Sequence, residues 1–313
     1  MPLLSFFATL CLLLQLFLSS SLLMAITDDD NYANEKMTRP ECLRPFKLFG
    51  SIDVTGRGRA CEEHYKGQKL SYLDVNANGT ATVYFNKLRS EAIQLVLGYE
   101  KTRIDWYCHP WICQEKFNTL RLGVNFLSGR LSSWMWQGYV NANVDADEWS
   151  LSHYTSWDAL LWGRCQLCYP RTMALNLGFL AQTGMKIDHV YPIFGIDWCY
   201  GDRWKFNLVF PIKVSAEYEI ASNWTTGLSS RFLESRHRFN PEEPLLPMGL
   251  IQYRSVGAEW FLSYDNCSQC SANIHAGWLF GSNVKLSNRH NHHGRWFKFG
   301  GSGYAGAELA LKF

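Results

Sequence analysis

The chain has 313 residues, 47% of them hydrophobic and 15% aromatic, with 13 Trp and a formal net charge of +2. That near-neutral balance, without a basic block, excludes a nucleic-acid binder that works by neutralising phosphates. Beyond residue 25 no apolar run reaches the roughly 20 residues of a helical membrane span, which excludes a helical-bundle membrane protein.

Residues 3–24 carry no charge, and Ala25 is followed by Ile26-Thr27-Asp28. This is the pattern of a signal peptide over residues 1–25. Its first residues hold no Lys or Arg and Leu23 stands at position −3, so an uncleaved anchor helix is the alternative. Residues 26–45 are polar, are punctuated by Pro40 and Pro45, and read as a leader.

From residue 46 onward the signal is period-2 alternation. Residues 70–86 alternate around Asn78-Gly79, a dipeptide that predicts a hairpin turn. Strands are predicted at 91–99, 118–127, 133–144, 171–182 and 185–198, the last two joined near Gly184. The longest alternation spans 203–220. Trp204, Phe206, Leu208, Val214, Ala216, Tyr218 and Ile220 take one parity; Arg203, Lys205, Lys213, Glu217 and Glu219 take the other. Pro211 has no N–H to give a ladder, so two strands with a tight turn near 210–213 are predicted; one long bulged strand is the alternative.

Val256, Ala258, Trp260, Leu262 and Tyr264 share one face opposite Gly257, Glu259 and Ser263, with Phe261 an exception on the polar side. Ala272, Ile274, Ala276, Trp278 and Phe280 repeat the pattern opposite Asn273, His275 and Gly277. Residues 265–270 between them read as a polar turn. The segments 236–249, with three prolines, and 283–295 read as long loops.

The chain ends on Gly303-Tyr304-Ala305-Gly306-Ala307-Glu308-Leu309-Ala310-Leu311-Lys312-Phe313. Ala305, Ala307, Leu309, Leu311 and Phe313 form an apolar face; Glu308 and Lys312 lie on the other. This ending resembles the closing strand of Gram-negative outer-membrane β-barrels, in which a C-terminal aromatic is the signal read by the barrel-assembly machinery. The resemblance implies an all-β fold: a transmembrane, antiparallel, up-and-down barrel over residues 46–313. At about 24 residues per strand and connection it has about 12 strands. It also implies Sec export, a periplasmic leader at 26–45, an outer-membrane location and contact with lipid. The 265–270 turn is then periplasmic, and the 236–249 and 283–295 loops external.

Barrel interiors are polar, so Arg203, Lys205, Lys213, Glu217, Glu219, Glu259, His275, Glu308 and Lys312 are the lumen candidates. Their mixed signs point either to weak ion selectivity or to internal salt bridges that close the pore.

Ten Cys are present. Cys108/Cys113, Cys165/Cys168 and Cys267/Cys270 are local pairs. Local disulfides rank first, disulfide links to neighbouring envelope proteins second, and zinc or CxxC redox chemistry last. The cysteine content is similar to that of cysteine-rich chlamydial envelope barrels. His290, His292 and His293 fall in a cationic stretch with Arg289, Arg295 and Lys298. The reading preferred is a solvated loop able to contact lipopolysaccharide phosphates, with metal ligation the weaker alternative.

Outer-membrane barrel lipid hydrolases carry a His-x-Ser-Asn element; this chain has none, and His153-Tyr154-Thr155-Ser156 is the nearest approach. The function expected is therefore a porin-like channel or an envelope structural protein, without cofactor. A barrel enzyme acting on lipids and a secreted, disulfide-rich all-β protein are the alternatives.

Overall fold

Alternating segments are too amphipathic to stand alone. Each must bury one face and pair both edges. The structure, a computed structural model, describes residues 44–65, 67–86, 90–109, 112–131, 134–145, 154–167, 172–185, 189–266 and 269–313. The signal peptide and nearly all of the leader lie outside these residues. So do Cys42, Cys168, Cys267 and His153.

The strands are β1 (Phe46–Thr55), β2 (Gly58–Arg59), β3 (Lys69–Asn86), β4 (Glu91–Tyr107), β5 (Lys116–Leu131), β6 (Trp134–Asp145), β7 (Thr155–Gln166) and β8 (Met173–Gly184). They continue with β9 (His189–Tyr200), β10 (Trp204–Phe210), β11 (Lys213–Ala221), β12 (Trp224–Arg238), β13 (Leu250–Asn266), β14 (Cys270–Ser287) and β15 (Arg295–Lys312). Each long strand pairs antiparallel with its chain neighbours, and β1 pairs with both β15 and β3, which closes the sheet. The two-residue β2 continues the line of β1: Gly58 pairs with Leu70, and Ala60 bridges to Phe299. The result is a closed barrel of 14 staves, two more than expected. Closure removes every free edge along the paired lengths.

Connections alternate between two ends. One end, the loop end, carries 108–115, 239–249 and 288–294; the other, the turn end, carries tight turns such as 201–203 and 222–223, together with Phe46 and Phe313. No helix among the described residues is long and apolar enough to cross a membrane. The strands present an apolar belt instead. Leu97, Leu122, Leu208, Leu228, Ile274 and Leu309 are between 49% and 64% exposed on the outer face. Tyr84, Phe85, Tyr200, Trp204, Trp224 and Phe313 ring the turn end, also exposed. Trp157, Phe194, Trp278 and Phe280 stand nearer the loop end. Exposed apolar surface of this extent is not tolerated in water but is required against lipid.

Three expectations change. Asn78-Gly79 is not a turn: β3 runs through it for 18 residues, pairing Asn78 with Phe49 on one side and Gly98 on the other. Two paired edges outweigh the turn preference of one dipeptide. The loops shrink to 239–249 and 288–294, because the inward residues Val284, Leu286, Phe297 and Phe299 pack in an apolar cluster that prolongs the strands. The strands β7 and β12 escape the alternation rule. In β7 both faces are apolar, with Trp157 outward and Leu160 and Trp162 inward. In β12 Thr226, Ser230, Glu234 and Arg236 interrupt the parity that carries Trp224, Leu228 and Phe232.

The turn at 211–212 falls where Pro211 predicts it. Phe261 points inward because its partner Gly227 leaves the space: a Cβ at Gly227 would stand 2.9 Å from the Phe261 ring.

Candidate functional site

Among the described residues the buried charged side chains gather on the inner face, so the interior is the candidate site. Near mid-height five strands contribute one ionic cluster. Arg231 of β12 reaches Asp53 of β1 at 2.6 Å, Glu308 of β15 at 3.5 Å and Glu259 of β13 at 3.9 Å. His275 Nε2 of β14 lies 2.8 Å from the second Asp53 oxygen. Ser229 donates to Glu259 at 2.6 Å, and the Tyr304 hydroxyl donates to its other oxygen. A guanidinium can serve several carboxylates because its five donors fan out in a plane. Farther round the wall Lys213 and Glu217 pair at 2.8 Å, and Arg164 and Asp197 at 2.9 Å.

Above this cluster the lumen is filled. The β10–β11 hairpin ends at residues 211–212, and β11 pairs with β12 only as far as Ser229. Among the described residues the rest of β12 has no strand on that side, and it carries buried residues on both parities. Leu233, Phe239, Ile251 and Tyr253 join Tyr72, Trp106 and Phe117 in one apolar cluster. Phe232 packs on the opposite cluster of Tyr139, Leu160, Leu180 and Ile193. Tyr72 and Tyr253 stack with centroids 4.4 Å apart, and Phe117 stacks on His237 at 4.5 Å. The upper part of β12, still paired with β13, thus turns into the lumen as a partition, with Phe232 and Leu233 packed on opposite clusters of the wall. Its tip is latched: Glu243 accepts from the Cys113 N–H at 2.7 Å and the Gln114 N–H at 3.0 Å.

Beside the partition an open pocket is lined by residues of β4–β7 and β12, with Gln182 and Met185 from the end of β8. A polar chain runs along it. Arg121 binds Glu100 at 2.9 Å and Asn143 at 3.0 Å, Asn143 donates to Asp158 at 2.5 Å, and Arg236 donates to Asp158 at 3.2 Å.

Of the residues singled out from sequence, Lys205, Lys213, Glu217, Glu259, His275, Glu308 and Lys312 take the inward parity, the last paired to Asp265 at 3.3 Å. Glu219 is half-buried near the turn-end rim. Arg203 is a correction. It lies in the turn before β10 starts, is exposed, and donates to the Tyr218 hydroxyl at 3.3 Å on the outward parity. Strand parity does not extend into a turn. Arg231, Asp53 and the β12 partition went unnoticed, because single inward charges on short or polar strands carry no periodic signal.

Ala305, Ala307, Leu309, Leu311 and Phe313 take the outward parity of β15. The Cys108–Cys113 disulfide is not formed; both are free and exposed. The Glu243 carboxylate, rather than a sulfur bridge, holds that loop. Cys165 and Cys270 are also free, and their partners Cys168 and Cys267 lie outside the described residues. His290, His292 and His293 sit in the 288–294 loop, where Arg289 donates to His290 at 2.9 Å; no metal-holding group occurs among the described residues. In the 108–115 loop His109 Nδ1 accepts from the Ile112 N–H at 3.3 Å, and partial burial holds its pKa below the ordinary histidine value.

No family model matches the chain. An uncharacterised protein of Chlamydia trachomatis is 22% identical over 198 residues, 63% of this chain and 61% of that protein. One of Chlamydia pneumoniae is 21% identical over 194 residues, 62% and 60% of the two chains. The chain thus spans about three fifths of the length of these relatives. Among solved structures, an outer membrane channel from Pseudomonas putida F1 superposes with a TM-score of 0.45 at 8% identity, covering 87% of this chain and 97% of that one. The Pseudomonas putida toluene transporter gives 0.40 at 8% identity, with coverage of 90% and 94%.

Proposed function

We propose that this protein is an outer-membrane β-barrel of the porin-like type, held closed by the upper β12–β13 segment. One observation carries the reading: a charged inner wall lies within an apolar, aromatic-ringed exterior, and a latched segment of the wall occupies the upper lumen. Short turns on one side and long loops on the other support a loop end facing outside and a turn end facing the periplasm. The exposed Phe313 beside the β1–β15 closure supports recognition by the barrel-assembly machinery. Arg289, Arg295 and Lys298, exposed at the loop end, support contact with lipopolysaccharide phosphates. The free thiols Cys165 and Cys270 near the turn-end rim support links to neighbouring envelope proteins in an oxidising compartment.

Planar-bilayer recording tests the reading. The wild-type barrel should pass small, infrequent currents, and Glu243→Ala should raise their frequency by releasing the tip. A large steady conductance in the wild type would overturn the closed state. Silence in both, with folded protein, would favour a purely structural envelope role.

A further inference from the structure

The geometry points to a binding site for a small zwitterion, of the size and charge pattern of a free amino acid, in the pocket between β12 and the β4–β8 wall. Access to it rests on the channel reading; binding does not.

The charges lining this pocket are half used. Glu234 accepts from Gln252 at 3.1 Å and Arg254 at 3.4 Å through Oε1, while its Oε2 is buried without a hydrogen-bond partner. Arg236 holds Asp158 through Nη2 and leaves Nη1 buried without one. Gln182 Oε1, on the facing wall, is a third such atom. Buried polar atoms are ordinarily matched, and leaving one unmade is costly. These three atoms hold both polarities, two acceptors and one guanidinium donor, and Ser235 Oγ and His237 Nε2 on the same lining are also buried without a hydrogen-bond partner.

Of the four carboxylates lining the pocket, three have a guanidinium partner, and Asp145 adds a further negative charge. Glu100 is answered by Arg121, Asp158 by Arg236, and Glu234 by Arg254. A bare cation would satisfy Glu234 and Gln182 but face Arg236. A bare anion would satisfy Arg236 but face Glu234. A molecule with an ammonium and a carboxylate a few bonds apart satisfies both. Asp145, Ser156 and Met185, at the loop-end tips of β6, β7 and β8, also line the pocket, so it lies near the loop end.

The full chain, purified in detergent, would be titrated with L-alanine, ethylammonium chloride and sodium acetate, with unfolding followed by heat-modifiable gel mobility and tryptophan fluorescence. L-Alanine should raise the unfolding temperature saturably, and each half-molecule should need about tenfold more. Gln182→Leu removes an atom with no protein partner, so the variant should fold normally yet bind L-alanine about tenfold more weakly. Glu234→Gln should weaken it at least as much. Ethylammonium or acetate matching L-alanine would overturn the zwitterion assignment. So would a wild-type barrel indifferent to all three, its orphan atoms then being served by water. Binding without conductance would sink the channel reading and leave the site standing; conductance without binding would do the reverse.

Discussion

Arg231 is the residue on which the interior turns. Three carboxylates from three strands converge on it, and its side chain is 7% exposed. Removing one member of a buried ionic group strands the others, which costs roughly 3–5 kcal/mol. Arg231→Met should therefore destabilise the detergent-solubilised barrel by an amount in that range, read from the fall in its urea midpoint. A midpoint equal to that of the wild type would mean that Asp53, Glu259 and Glu308 are solvated by water within an open lumen. Gly306 matters for a steric reason. A Cβ there would overlap His275 Nε2 and Asp53 Oδ1, the two atoms whose contact fixes Asp53 toward Arg231. Gly306→Ala should cost about 1–3 kcal/mol by the same measurement, and a neutral result would show that the His275–Asp53 contact is dispensable.

At the scale of the element, β15 shows how one strand serves two solvents. Leu309 is 50% exposed outward, while Lys312 is buried inward against Asp265. An arginine at a lipid-facing mid-bilayer position costs about 2–4 kcal/mol. Leu309→Arg should destabilise the barrel in lipid by that amount and Leu309→Ala by less. The reverse order would require the strand phase to be wrong by one residue. The 108–115 loop makes a separate, pH-dependent prediction. Neutral His109 accepts the Ile112 N–H, and its pKa is depressed by burial. An opened loop then takes up a proton more readily than the packed one, so the packed form loses stability as pH falls through the ordinary histidine value near 6.5. Protease cleavage within 108–115 should rise between pH 7 and pH 5, and His109→Asn should flatten that rise.

For the whole molecule, the uneven staves matter more than their number. The β10–β11 hairpin is short, while β12–β15 are long. The upper edge of β12 is thereby released from the wall and turned inward, so a barrel with charged walls is also a filled one.

The alternation of 203–220, 256–264, 272–280 and 303–313 is enough to specify an all-β chain with an apolar outer and a polar inner face. A side chain's face depends only on its parity within its own strand, and Pro211 alone sets where that hairpin turns. Asn78-Gly79 shows the limit, because two paired neighbours hold as a strand what is locally a turn. Which inward charges meet follows from the assembled barrel. Arg231 finds Asp53 across 178 positions, and Phe232 and Leu233 reach opposite halves of the wall. Such meetings depend on stave length, register and closure. These are set by all 14 strands together and leave no periodic trace in any one of them.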